Sequence, residues 1–526
     1  MMSLPVSTFP SALRSTQLAE TSGQKTTPAV TVIQSPHIQE ANVRFTSKSK
    51  LLPEQHYVEK YPNYTNSAPL FSDNNIKVVH KSSWRIEKED SYSNINNVLQ
   101  IETGDKADTI KVSQPSANEI SLQVNGTYYT LKLNNHEDYP EELHIKSKGG
   151  NDKIKVDPSV TLSITIEGGR GNDQIEALGS GFTAVYGGAG DDDITLGSGA
   201  GYAEGNSGDD KMKGGTGKSV MYGNAGRDQM FSGPGSKGTF SYMDGGEGDD
   251  FMISESPFNV MHGGRGQDFM YGRGPTTFYT GRGRDTVFSN DARDKVYADA
   301  GDRVCRVPGS TLRQVTISDA GNKGLNIEGS DKFRQRTEDD LELFRNSPTA
   351  QKMLTELDQA AERNGAPVTI KETLMAPSYY FANAFTRETD KQLKDYDDIS
   401  ESAQVGFIHD NTKGSVATSA TINHTPSILF PPTLVPPIVD FYHEMAHAYN
   451  GANGTLLPGI TSRPDLEAPE RNLERQAVGL ETDAPAFDFD NDRSTPPTTT
   501  NPKTFTENAL REEMGFPLRK SYSHYE

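Results

Sequence analysis

The sequence predicts a multidomain chain in which a repeat-built region is followed by an α+β domain. Three observations predict this. At 526 residues the chain is too long for one ordinary hydrophobic core. A nonapeptide pattern rich in Gly and Asp recurs through its middle and stops near residue 305. Beyond that point helical and strand patterns alternate with polar loops.

The ends and the totals bound what the chain can do. It carries 72 Asp+Glu against 52 Lys+Arg, a formal charge of -20. That balance argues against nucleic acid or an anionic membrane surface as the main partner. It suits cation binding if the carboxylates are organised. Cys305 is the only cysteine, so neither an intrachain disulfide nor a cysteine zinc site is expected. No apolar run approaches the length of a membrane span. Residues 1–50 are rich in Ser and Thr and lack the basic head and apolar stretch of a secretory signal peptide. They read as disordered, a candidate secretion signal or a plain flexible tail. Residues 51–146 read as a β-rich region leading into the repeats.

The repeats come next. "GGRGNDQI" (168–175), "GGAGDDDI" (187–194), "GGEGDDFM" (245–252) and "GGRGQDFM" (263–270) fit G-G-x-G-x-D-x-U, with U a large apolar residue. "GNSGDDKM", "GNAGRDQM" and "TGRGRDTV" are looser copies, and "SKGGNDKI" and "ETGDKADTIKV" are degenerate early members. The aligned aspartates are Asp173, Asp192, Asp210, Asp228, Asp250, Asp268 and Asp285, separated by 19, 18, 18, 22, 18 and 17 residues. The spacing is near twice nine. The intervening nonapeptides hold Thr183, Gly201, Ser219, Ser241, Asn259 and Thr276 at the sixth position, none of them a carboxylate.

This region, 147–305 in its regular part, resembles the RTX (repeats-in-toxin) calcium-binding family. The resemblance implies a parallel β-roll in which each coil takes two nonapeptides. Eighth-position residues would form two inward columns. The aspartates would stack on one edge, with neighbouring coils about 4.8 Å apart. Two carboxylates at that distance repel by roughly 3 kcal/mol at an effective dielectric near 20. Ca²⁺ between coils reverses the sign. One row of calcium sites is therefore expected on the Asp edge and none on the Ser/Thr edge.

The C-terminal part, 325–520, opens with "SDKFRQRTEDDLELFRNSPTAQKMLTELDQAAERNG" (330–365), two helices with the second restarted at Ser347-Pro348. "APVTIKETL" then reads as a strand, and 387–426 as loops and short strands. "PPTLVPPIVDFYHEMAHAYNGANG" (431–454) reads as a helix begun by Pro437 and ended at Asn450-Gly451. His443 and His447 share a face, so both imidazoles can reach one metal ion. Glu444 lies beside them, where it can touch a metal-activated water.

A third ligand is still needed, and no histidine follows closely. In "APERNLERQAVGL" (468–480) a helix begun by Pro469 would offer Glu474, with Glu470 one turn earlier as the alternate. Asp465 and Glu481 come next. Tyr449 and Arg475 are candidates for stabilising an oxyanion.

"HEMAHAYN", "NLERQAVGL" and "FRNSPTAQKMLTEL" together resemble the NleD-like family of zinc metallopeptidase effectors. The resemblance implies a zincin fold, delivery into host cells by type III secretion, and cleavage of mitogen-activated protein kinases in the activation loop. The repeat array ahead of the peptidase departs from the short members of that family. It makes type I secretion a rival route.

The expected function is a secreted bacterial zinc endopeptidase acting on a host protein, using Zn²⁺ and Ca²⁺. The alternative is a calcium-dependent binding protein whose zincin domain is inactive. The second half is expected to bury its own core, so that a 310–526 fragment would fold and act without Ca²⁺.

Overall fold

The computed structural model describes residues 30–34, 64–88, 91–133, 140–365, 367–373, 377–383, 402–427, 435–464, 466–490 and 494–522. The candidate secretion signal lies outside them except for Val30–Gln34, and so does Asp465. Much of the loop region expected over 387–426 lies outside as well.

Two long sheets face each other across a solenoid of about 10 turns spanning residues 143–314. One sheet has 13 strands; the other has 14, of which 13 lie on its main path and the short strand Arg282–Gly283 pairs off it. Within the repeats every pairing is parallel and in register: Ile175 sits beside Ile194, Met212 beside Met230, and Met221 beside Met243. These are the expected inward columns, and all six side chains are fully buried. Alternation along a strand puts the eighth-position residues of both nonapeptides inside. Unbranched Met fills the narrow space between the sheets. Antiparallel strands at the N-terminal end extend both sheets, Thr109–Ser116, Glu119–Val124 and Thr127–Lys132 on one, Tyr64–Ser72, Lys77–Lys88 and Ser91–Glu102 on the other.

The Ser/Thr edge is closed by neutral hydrogen bonds. Ser219 and Ser241 hydroxyls lie 2.9 Å apart, and those of Ser254 and Thr276 3.0 Å apart. One carboxylate does occupy this edge. Asp294, in the coil before the last, accepts from Thr276 N at 2.8 Å and Asp291 N at 3.0 Å. It follows an 18-residue step from Thr276, beyond where the sequence register was carried.

The C-terminal domain has five α-helices and a four-stranded sheet among the described residues. Helices Asp331–Asn346 and Pro348–Asn364 begin as expected, with Ser330 and Ser347 hydroxyls accepting from Phe333 N (3.2 Å) and Ala350 N (3.0 Å). The sheet runs Leu325–Glu328, Val368–Glu372, Ser419–His424, Ser378–Ala382, the last strand antiparallel to its neighbour. Helix Pro437–Asn453 lies against the sheet and the second helix.

The two halves share one hydrophobic core, which corrects the expectation of a self-sufficient second half. Tyr202, Tyr222, Tyr242 and Tyr279 point outward from the 14-stranded sheet and are fully buried. They join Leu341, Phe344, Met353, Tyr442, Leu510 and Phe516 in a single cluster. The tyrosine rings form a ladder with centroids 5.7 Å apart (Tyr202–Tyr222) and 5.4 Å apart (Tyr222–Tyr242). The Arg336 guanidinium, buried and bonded to Asp340 at 2.9 Å, lies 3.4 Å from the Tyr222 ring centre. The roll is therefore a wall of the second domain's core. Residues one position either side of the repeat's inward column supply that wall.

A 310–526 fragment loses this wall and exposes Phe344, Tyr442 and Leu510. It is expected to bind a hydrophobic dye and to melt without a cooperative transition, whereas the full-length protein melts cooperatively. Differential scanning calorimetry and dye fluorescence on both proteins check this; a sharply melting, dye-silent fragment would show that the second half stands alone.

Candidate metal centres

Helix Pro437–Asn453 carries the first centre. Pro437 occupies its first turn, where a missing N–H costs nothing. The helix runs past the expected Asn450-Gly451 stop to a left-handed Gly454 (φ 64°), whose N–H reaches back to the carbonyls of Asn450 and Gly451. Asn450 instead turns its side chain into a buried network with Thr455 and Asn501. Gly451 lies so close to Tyr379 that an added Cβ would stand 2.1 Å from the phenol oxygen.

His443 and His447 are both buried, 6% and 5% exposed. Across from them, helix Asn472–Val478 presents Glu474. The His443 and His447 Nε2 atoms lie 3.1 Å apart, and Glu474 Oε2 lies 3.3 and 3.1 Å from them. Ligand atoms about 2.0–2.1 Å from a tetrahedral ion stand about 3.3–3.4 Å from one another. The triangle therefore has the size of one face of such a coordination shell, and it is the only group of three His, Cys, Asp or Glu ligands of that kind among the described residues.

Glu444 is buried beside the pair, and burial raises its pKa while the His447 and His443 charges pull it down. Burial lowers the pKa of His443, but hydrogen bonds to Glu474 and Glu507 prevail and raise it to about 10. Burial also opposes ionisation of Glu474; the His447 charge and the bonds to both histidines nevertheless hold it well below the ordinary carboxylate range.

The alternates do not join the triangle. The helix begins at Asn472 rather than Pro469, because Glu470–Arg471 pairs as a short strand with Ile460–Thr461. Glu470 is buried in an ion pair with Arg475, whose Nε also donates to the Glu481 carbonyl at 2.9 Å. Arg475 is thereby engaged away from an oxyanion role. Tyr449 stacks on Phe505 at 4.1 Å. The Glu481 carboxylate is 80% exposed, 3.9 Å from Arg463. Among the described residues, tyrosine rings beside the histidines are those of Tyr522, 5.9 Å from His443, and Tyr379, 6.3 Å from His447.

Sequence reasoning missed Glu507. Its Oε2 lies 2.9 Å from His443 Nδ1 and accepts from Arg519 Nη1 at 2.9 Å, while Oε1 accepts from Arg511 Nε at 2.6 Å. Glu507 opens the last helix, Glu507–Met514, behind a Thr506 cap. Only that "TE" helix start is visible in sequence, and nothing in it points to His443.

The second centre is the aspartate edge. All seven predicted aspartates are buried, and each Oδ1 accepts the backbone N–H of the aspartate one coil earlier. Asp108 and Asp152 extend the ladder at one end and Asp302 at the other. The Oδ2 atoms of Asp108 to Asp285 find no hydrogen-bond partner. Those of Asp173, Asp192, Asp210, Asp228, Asp250 and Asp268 turn toward the first glycine of their repeats. A Cβ on Gly168 would lie 2.4 Å from Asp173 Oδ2 and 2.6 Å from the Gly187 carbonyl oxygen; on Gly245 the distances are 2.3 Å to Asp250 Oδ2 and 2.4 Å to Gly263 O. Glycine thus leaves a gap lined by carboxylate and carbonyl oxygens, the donor set of Ca²⁺.

A helix-borne His-His-Glu triangle with a neighbouring acid, walled by a Gly-Asp parallel roll, defines a class: a peptidase domain joined to a calcium-binding repeat module. Comparison with known families agrees. Residues 321–522 match the Peptidase_M91 family, described as "effector protein". Residues 165–180, 184–203, 204–236, 244–274 and 272–304 match the RTX calcium-binding nonapeptide repeat. The chain thus carries a Peptidase_M91 effector domain preceded by RTX calcium-binding repeats. No curated protein and no solved structure matches the chain. Among the described residues no helix is long and apolar enough to cross a membrane.

The aspartate ladder sets a pH dependence. Burial raises these pKa values, backbone N–H bonds lower them in part, and neighbouring carboxylates add to the rise. They reach about 7 for Asp192 and Asp285, about 8 for Asp210, Asp228 and Asp250, and about 9 for Asp268. An unfolded Asp titrates near about 3.9. Between those values the folded roll holds more protons than the unfolded chain, so its stability falls as pH rises. Without Ca²⁺ the full-length protein should lose β-structure as pH rises from 6 to 9, by circular dichroism. The Ca²⁺ concentration that restores it should rise over the same range, because protons no longer share in neutralising the edge. Asp228→Asn should raise that concentration and Ser219→Ala should not.

Proposed function

We propose that the C-terminal domain is a zinc-dependent endopeptidase that cleaves a host protein, with His443, His447 and Glu474 as ligands and Glu444 as general base. The observation that carries this reading is the triangle of His443 Nε2, His447 Nε2 and Glu474 Oε2, 3.1–3.3 Å on a side, with Glu444 on the same helix. Two imidazoles and one carboxylate, with no thiolate, suit zinc in a catalytic rather than a structural role. Zinc bound there would supply Lewis acidity, acidifying a water and polarising the scissile carbonyl.

The chain's own residues do the rest. Glu444 takes the proton of the attacking water and delivers it to the leaving amine. Its burial favours the protonated form it must hold between those steps. Strand Ser378–Ala382 is an antiparallel edge of the sheet among the described residues, and its Tyr379 ring stands beside His447. An extended substrate pairing with that edge would pass over the histidines. The RTX repeats and the effector match support a secreted protein that acts on other proteins. A signalling kinase as target and type III delivery follow from the resemblance to the NleD-like family and are part of the proposal.

Purified wild type should hold about one zinc per chain. Glu444→Gln should retain the metal and lose about 10²–10⁴-fold in cleavage of casein or a kinase substrate. His443→Ala and His447→Ala should lose the metal, and Glu474→Gln should weaken it far more than Glu470→Gln. Metal analysis and a gel-based cleavage assay check each. Wild-type cleavage by Glu444→Gln would overturn the assigned mechanism.

A further inference from the structure

Helix Glu507–Met514 touches both halves of the molecule. At its first residue, Glu507 reaches His443 Nδ1. At its other end the roll holds it. Thr277 Oγ1 donates to the Met514 carbonyl at 2.7 Å, Tyr279 OH to Glu513 Oε1 at 3.0 Å, and Lys295 Nζ to the Glu512 carbonyl at 2.7 Å. Just past the helix, Phe516 packs edge-on against Phe240 (5.1 Å) and Phe258 (5.4 Å). Glu513 also accepts from Ser347 Oγ and from Thr349 N, so the same seat fixes the start of helix Pro348–Asn364. The contacts come from consecutive coils of the 14-stranded sheet. The facing edge of those coils carries Asp250, Asp268 and Asp285.

We propose that Glu507 is a positioning residue for His443, and that the calcium-ordered roll, by seating the helix that carries Glu507, sets the metal affinity of the peptidase site. The proposal rests on the reading of His443 as a zinc ligand. To ligate through Nε2, an imidazole must keep its proton on Nδ1. Glu507 accepts that proton's hydrogen bond and fixes both tautomer and ring angle. Arg511 and Arg519 hold both its oxygens, so its rotation is limited and its charge is kept. The position of the whole clamp depends on the helix, and the helix rests on side chains that exist as a surface only while successive coils are stacked. Unneutralised carboxylates one strand spacing apart oppose that stacking, and Ca²⁺ removes the opposition.

The test uses full-length protein and measures zinc affinity by competition with a chromophoric chelator. It is run with saturating Ca²⁺ and in metal-scrubbed buffer with Mg²⁺ in its place, below the melting temperature of each sample. Glu507→Gln in Ca²⁺ should bind zinc about 10–100-fold more weakly than wild type, the range for losing a group that orients a ligand. Replacing Ca²⁺ by Mg²⁺ should weaken wild type by a similar factor and Glu507→Gln by clearly less, because the shared link is already cut. A Thr277→Val/Tyr279→Phe double variant keeps the roll's carboxylates and leaves the ligands and Glu444 untouched. In Ca²⁺ it should still lose zinc affinity. A purely structural role for Glu507 or for the seat would lower the melting temperature without changing zinc affinity in the folded protein, and would overturn the proposal. So would equal zinc affinity in Ca²⁺ and Mg²⁺ for wild type that binds one zinc, with the site reading then still standing. Absence of zinc from wild type in Ca²⁺ would remove that reading, and the proposal with it.

Discussion

Each coil of the roll must place a buried carboxylate one strand spacing from the next, and the rest of the molecule depends on how that repulsion is met. Asp173 to Asp285 use Oδ1 to hold the preceding coil's backbone and leave Oδ2 without a partner. Among the described residues no Lys or Arg pairs with these oxygens. Protons or a divalent cation must neutralise them, and the carbonyls of the adjoining glycines complete an oxygen donor set that suits Ca²⁺. The opposite edge avoids the problem with hydroxyl pairs such as Ser219 and Ser241. Stacking can therefore be coupled to calcium chiefly along the aspartate edge, Asp294 being the carboxylate on the other.

That coupling reaches beyond the roll because the roll is not a free-standing module. One sheet presents tyrosines where an isolated solenoid would present polar groups, and the second domain's helices bury them. Burying a large aromatic side chain contributes roughly 1.5–3 kcal/mol, and four fully buried tyrosines lie on this face. A contribution of that size is large against the marginal stability of ordinary domains. Arg336 illustrates the tightness of the junction: it is buried with its guanidinium on the Tyr222 ring and its charge answered by Asp340. The peptidase domain thus packs on a surface assembled by the calcium-binding repeats.

The metal triangle shows the same layering at short range. His443 and His447 come from one helix, and Glu474 from the next. Glu507 comes from the last helix, 64 residues beyond the histidine it orients. A buried ligand set needs each charge answered, and here the answer to His443 is passed through Glu507 to Arg511 and Arg519.

Much of this was legible in sequence wherever a feature is periodic or local. The nonapeptide period determines which residues enter the roll's interior, so Met212, Met230 and Met252 were readable as one column and Asp210, Asp228 and Asp250 as one edge. The i, i+4 spacing puts His443 and His447 on one helical face in any fold that keeps the helix, and Glu474 was readable, with Glu470 as its alternate, as an acid on a following helix. Tertiary structure alone decided the rest. It started the Glu474 helix at Asn472 by drawing Glu470–Arg471 into a strand, which sent Glu470 to Arg475. It ran the histidine helix on to Gly454 because Asn450 found buried partners and Tyr379 needed the space over Gly451. It matched Tyr202, Tyr222 and Tyr242 to helices far along the chain, and Glu507 to His443. A local pattern states which face a side chain takes; what lies opposite that face is set by chain segments whose separation carries no period to read.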